Sequence, residues 1–92
     1  MEEVKRIAAT TLTDTETELY KNSNGSIVKT ILLYNSNSSE KQVTLNLDGV
    51  TFLFTLNSNE FKVIDTPIMT NSIKGKGQGV NIHITGIQLG GA

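Results

Sequence analysis

The sequence predicts an all-β protein: a small antiparallel β-sandwich, immunoglobulin-like or jelly-roll-like, of seven to eight short strands. Three observations lead there. Twelve threonines and nine isoleucines among 92 residues supply stiff β-branched side chains that suit a pleated surface. Apolar and polar residues alternate cleanly in several short runs, and no segment carries a helical period. An Asp48-Gly49 pair separates two of those alternating runs, as the loop of a two-residue hairpin does.

The elements follow in order. Residues 1–9 begin with the charged Glu2-Glu3-Val4-Lys5-Arg6 and read as an N-terminal arm. A first strand that completes the chain's own sheet is the rival reading. Asn22-Ser23-Asn24-Gly25 reads as a turn, because these residue types favour reversals. Residues 26–34 then form a nearly continuous apolar strand (Ile27, Val28, Ile31, Leu32, Leu33, Tyr34), as expected of a strand covered on both faces. Residues 35–41 are a polar loop.

Residues 42–47 place Val43, Leu45 and Leu47 on one face and Gln42, Thr44 and Asn46 on the other. After the Asp48-Gly49 turn, Val50, Phe52, Phe54 and Leu56 alternate against Thr51, Leu53 and Thr55. Asn57-Ser58-Asn59 turns the chain, and residues 60–65 form a short strand with Phe61 and Val63 on one side. Pro67, the only proline, cannot donate to a ladder and marks an edge or a strand start. A strand over 68–74, the loop Gly75-Lys76-Gly77-Gln78-Gly79 and a last strand over 80–89 follow. Residues 10–89 are thus the sandwich and 90–92 a C-terminal tail. The expected centre of the core is Val43, Leu45, Leu47, Phe52, Phe54, Val80, Ile82 and Ile84.

Ninety-two residues give room for one domain and one core. There is no cysteine to staple it, so self-association or docking on partners is the expected source of extra stability. Eight basic and nine acidic residues leave a formal net charge of −1. Lys74, Lys76 and the Lys5-Arg6 pair make no concentrated basic face, and aromatics do not interleave with them. Nucleic acid is therefore disfavoured as a partner. The apolar runs are too short for a secretory leader or a membrane helix. A soluble protein made in a cytoplasm, without a membrane partner, is the expectation.

No residue pattern points to catalysis, a cofactor or a metal. His83 is the sole histidine and is expected on the outer face of the last strand, between Asn81 and Thr85. Its nearest carboxylate in sequence, Asp65, has no ligand spacing to it. Glu16 and Glu18, with Asp14 behind them, would share one face of a strand. They could hold calcium or raise one another's pKa, or form a solvated edge that resists aggregation. The glycine loop at 75–79 invites a phosphate-binding reading, but such loops lead from a strand into a helix, and here a strand follows.

The order of segments resembles a known group. Thr10-Thr11-Leu12 and Glu18-Leu19-Tyr20 precede Ile27-Val28-Lys29-Thr30-Ile31, which runs into Tyr34-Asn35-Ser36. The stretch from Val43 to Val50 carries a Val-Thr-Leu strand and a glycine hairpin, Leu56 to Glu60 follows, and Val80-Asn81-Ile82-His83-Ile84-Thr85-Gly86-Ile87 closes the pattern. Across about residues 10–87 this is similar to the small β-sandwich proteins encoded among the structural genes of tailed bacteriophages. The charged first nine residues depart from it.

The resemblance implies a non-enzymatic virion component that binds capsid, neck or tail proteins as a decoration or accessory protein, in many copies or as an oligomer. The first strand region and exposed loops are the expected contacts. A carbohydrate- or receptor-binding β-sandwich module is the alternative. Against it, Tyr20, Tyr34, Phe52, Phe54 and Phe61 are few and mostly needed inside.

Overall fold

The β-branched runs settle into seven antiparallel strands in the computed structural model, which describes residues 4–90. They are β1 (Val4–Thr11), β2 (Thr17–Asn35), β3 (Lys41–Leu47), β4 (Val50–Leu56), β5 (Phe61–Ile64), β6 (Ile68–Lys76) and β7 (Val80–Gln88). Hydrogen bonds join them in the order β1-β7-β2-β6-β3-β4, with β5 added to β2. Among the described residues there is no helix.

The 19-residue β2 organises the fold. Fully extended it would span roughly 60 Å, more than the 44 Å longest dimension of the molecule, so it must bend. Along one edge it pairs with β7 from Ser26 to Asn35. Along the other it pairs with β6 over its first part and with β5 from Ile31 to Tyr34. The continuous sheet thereby folds into two layers, β1-β7-β2-β5 and β2-β6-β3-β4.

Their inner faces share one core. Val28, Ile31, Leu33, Val80, Ile82 and Ile84 meet Val43, Leu45, Leu56 and Ile73, and Leu12 plugs one end. Each such side chain contributes about 1.5–3 kcal/mol when fully buried.

Ladder irregularities mark where β2 bends. The register shifts at Leu19, across 22–25 and at Lys29. Asn22-Ser23-Asn24-Gly25 is thus not the expected turn between strands. It bulges out of the β6 ladder while the chain keeps its direction. Gly25, at φ 86°, and Asn22 bond across it and to Leu89, just past the end of β7: Asn22 Nδ2 donates to the carbonyls of Gly25 and Leu89 at 2.8 and 3.2 Å. Leu89 N–H donates to Gly25 O at 3.0 Å. Those cross-chain bonds hold the segment in the sheet despite its turn-forming composition.

Residues 4–9 are not a separate arm. They open β1, which runs antiparallel along β7 from Val4↔Ile87 to Thr11↔Asn81, with Ile7 and Ala8 against the core. The sandwich therefore begins at Val4 rather than at residue 10; residues 1–3 lie outside the described residues, as do 91 and 92 of the expected tail. The Asp48-Gly49 hairpin forms as expected: both residues take positive φ, 55° and 87°, and Leu47 pairs with Val50.

The core expectation holds for Val43, Leu45, Val80, Ile82 and Ile84, all buried. Leu47 and Phe54 are only half-buried, and Phe52 is 46% exposed. Alternation identifies the inward face of β4, but β4 is the last strand of its layer among the described residues, so its inner side is covered at Leu56 and opens toward Phe52 and Val50.

Candidate functional site

The polar groups singled out in the sequence do not converge. His83 is half-buried on β7, directly opposite Leu32 of β2 and Ala9 of β1. Asp65 instead accepts a 3.5 Å bond from the Thr30 hydroxyl. Glu16 sits in the connection before β2, off any strand, where threonine hydroxyls and carbonyls bond one another from Thr13 to Thr17. Glu18 is on β2 directly opposite the cationic Lys74. Among the described residues no three His, Cys, Asp or Glu side chains are grouped to hold a metal.

The 75–79 segment is not an open loop that could cradle an anion. Gly77 N–H donates to Thr13 O at 2.8 Å, Gly79 N–H to Leu12 O at 3.0 Å and Val80 N–H to Gly77 O at 3.0 Å. Gly75 and Gly77 are buried. A Cβ at Gly77 would sit 2.9 Å from the Val43 side chain and 3.3 Å from the Gln42 carbonyl. These glycines serve close packing of β6 on its neighbours.

Asp48 has a role the sequence did not reveal. Its carboxylate accepts the N–H groups of Asn71 at 2.8 Å and Ser72 at 3.1 Å, tying the β3–β4 hairpin to β6. The Asn71 N–H, helped by Ser72 and Thr70, holds the Asp48 carboxyl below its usual pKa despite partial desolvation.

What the fold does assemble is apolar. On the open rim between the layers, Ile31, Ile64 and Ile68 face Leu45, Leu47, Phe52 and Phe54 across a groove of about 290 Å³. On the outside of the other layer, Leu32 pairs with Val63 and Tyr34 with Phe61 across the β2–β5 ladder. Phe61 is 56% and Val63 50% exposed. The aromatics expected inside are thus divided: Phe61 lies on an outer face and Phe52 at the rim. The period of two placed Phe61 and Val63 together, but only the pairing of β5 with β2 decides that their side is the outer one.

No protein-family model matches this chain, and no curated protein matches it.

Proposed function

We propose that this chain is a non-enzymatic structural component of a tailed-phage virion, a decoration or accessory protein that docks on a larger capsid, neck or tail protein. The observation that carries the docking role is the apolar outer face of Leu32, Tyr34, Phe61 and Val63. Large side chains left half in water beside one another are what a protein interface covers. The virion setting rests on the segment pattern shared with the phage β-sandwich proteins. Repetition on a lattice supports the reading physically, since many copies acting together offset a weak individual interface.

The test uses assembled particles. Replacing Phe61 and Val63 by lysine puts charges on the proposed contact while leaving the buried core untouched. The doubly substituted protein is expected to keep its far-ultraviolet spectrum and melting temperature and to be lost from purified particles. Wild-type incorporation by the substituted chain would overturn the docking face.

The exposure of Phe61 and Phe52 also favours the second reading, a carbohydrate-binding module that stacks sugars on aromatic rings. Binding on a glycan array that is lost with Phe61→Lys would decide for it.

A further inference from the structure

The proteins that expose sheet edges usually protect them with charge, proline, bulges or brevity. Two edges here are protected. The outer edge strand β1 carries Lys5 and Arg6 and a register shift at Ile7. The strand β5 has only four residues, includes Lys62 and is followed by Pro67. The third edge, β4, has none of these devices. Its seven residues pair with β3 without irregularity from Leu47↔Val50 to Lys41↔Leu56, and among the described residues no strand lies beyond it.

The sequence of that edge is nearly a palindrome. Val50-Thr51-Phe52-Leu53-Phe54-Thr55-Leu56 reads almost the same in both directions about Leu53. A two-fold interface is self-complementary by symmetry, so residue i meets residue j and j meets i. Such a strand can satisfy that condition with like chemistry at every position.

Backbone geometry selects the same centre. The pair that closes a two-residue hairpin exchanges both of its hydrogen bonds, and bonded and unbonded pairs then alternate. From Leu47↔Val50 it follows that Val50, Phe52, Phe54 and Leu56 direct their N–H and C=O groups to β3. Thr51, Leu53 and Thr55 direct theirs to the free edge. An antiparallel pairing centred on Leu53 therefore uses the groups that are free.

We propose that β4 pairs antiparallel with β4 of a second copy of this chain, about a two-fold axis at Leu53. Leu53 then bonds the partner's Leu53, and Thr51 bonds the partner's Thr55. On the groove side, Phe52 lies beside the partner's Phe54, so each rim covers the other and the two apolar grooves become continuous. Aromatic and threonine pairs directly across a ladder are stabilising. Along the strand the nearest charge is Asp48, which falls opposite the partner's Ser58, so no like charges meet across the paired strands. This association goes beyond the docking role above and does not depend on it, because it uses the backbone edge of β4 and not the outer face that carries Phe61 and Val63.

A residue on the two-fold axis faces its own copy, which gives a specific test. Leu53 is 59% exposed, so a charge there is compatible with folding. The full chain is expected to show a concentration-dependent dimer in sedimentation velocity. L53K alone and L53E alone should each raise the dissociation constant at least tenfold, since each sets like charges face to face. An equimolar mixture of the two should restore the dimer. L53C, in a chain with no other cysteine, should form a disulfide-linked dimer on mild oxidation, the two Cα atoms of such a pair lying about 5.5 Å apart. The Phe61 and Val63 lysine variant should dimerise as the wild type does. A wild-type monomer at all concentrations, a dimer indifferent to L53K, or a mixture that stays monomeric would overturn the proposal.

Discussion

Replacing Asn35 by alanine should destabilise the protein by about 4 kcal/mol, a large effect for a residue of a type that usually marks a surface turn. Asn35 is fully buried at the end of β2. Its Nδ2 shares its hydrogens among the carbonyls of Ser39, Leu56 and Asn57 at 2.9–3.1 Å. Its Oδ1 accepts from Asn37 N–H at 3.0 Å and from Asn37 Nδ2 at 2.8 Å. Two donated and two accepted bonds at roughly 1 kcal/mol each give the figure, and carbonyls stranded away from water would add to it.

A chain of this length has roughly 5–14 kcal/mol of stability in all. At about 4–8 °C per kcal/mol for a domain this small, the melting temperature should fall by roughly 15–30 °C. Thermal and urea unfolding followed by circular dichroism would measure it. The exposed Asn57 serves as the control, since its alanine variant should stay within about 0.5 kcal/mol of wild type. A loss below about 1 kcal/mol for Asn35→Ala would refute the view that this side chain ties β2 to the loops around it.

Gly86→Ala should cost about 1–3 kcal/mol or more, because a Cβ there runs into the Ile27 carbonyl and sits 2.8 Å from Val28 Cα; an unchanged urea midpoint would contradict the close approach. Asp48 has a folded pKa below its unfolded value, so its contribution is present above about pH 4 and fades as pH falls through the folded value. Asp48→Ala should therefore be less stable than wild type at pH 7, with the gap narrowing in acid; a gap that is constant with pH would refute the carboxylate's role. Deleting residues 4–9 should lower the melting temperature of the isolated protein by at least about 5 °C, since Ile7 and Ala8 leave the core; an unchanged melt would restore the reading of this segment as a free arm.

The fold class was legible because β patterning is local. Val43, Leu45, Val80, Ile82 and Ile84 declare their face by alternation, and Asp48-Gly49 declares its turn by the positive φ both positions require. Depth was less legible. Phe52 and Phe54 share a phase, yet Phe52 is half in water because β4 ends its layer, and strand order is not written in any one strand. Asn22 to Gly25 and Asn35 have turn-forming chemistry, but distant backbone, Leu89 in the first case and Leu56 and Asn57 in the second, recruits them into the sheet or under it. The glycines at 75 and 77 look like a flexible loop until Leu12, Leu45 and Val43 are seen against them. The apolar face at Phe61 and Val63 was visible as a pair, and its exposure follows only from the side of β2 that β5 joins.

The central proposal, a structural part of a tailed-phage particle, is tested most directly by electron microscopy of particles produced with and without this chain. Repeated density of about 10 kDa per copy is expected on the head, neck or tail, absent when the gene is deleted and restored when it is supplied in trans. Identical reconstructions, with no trace of the chain in the purified wild-type particles by mass spectrometry, would contradict it.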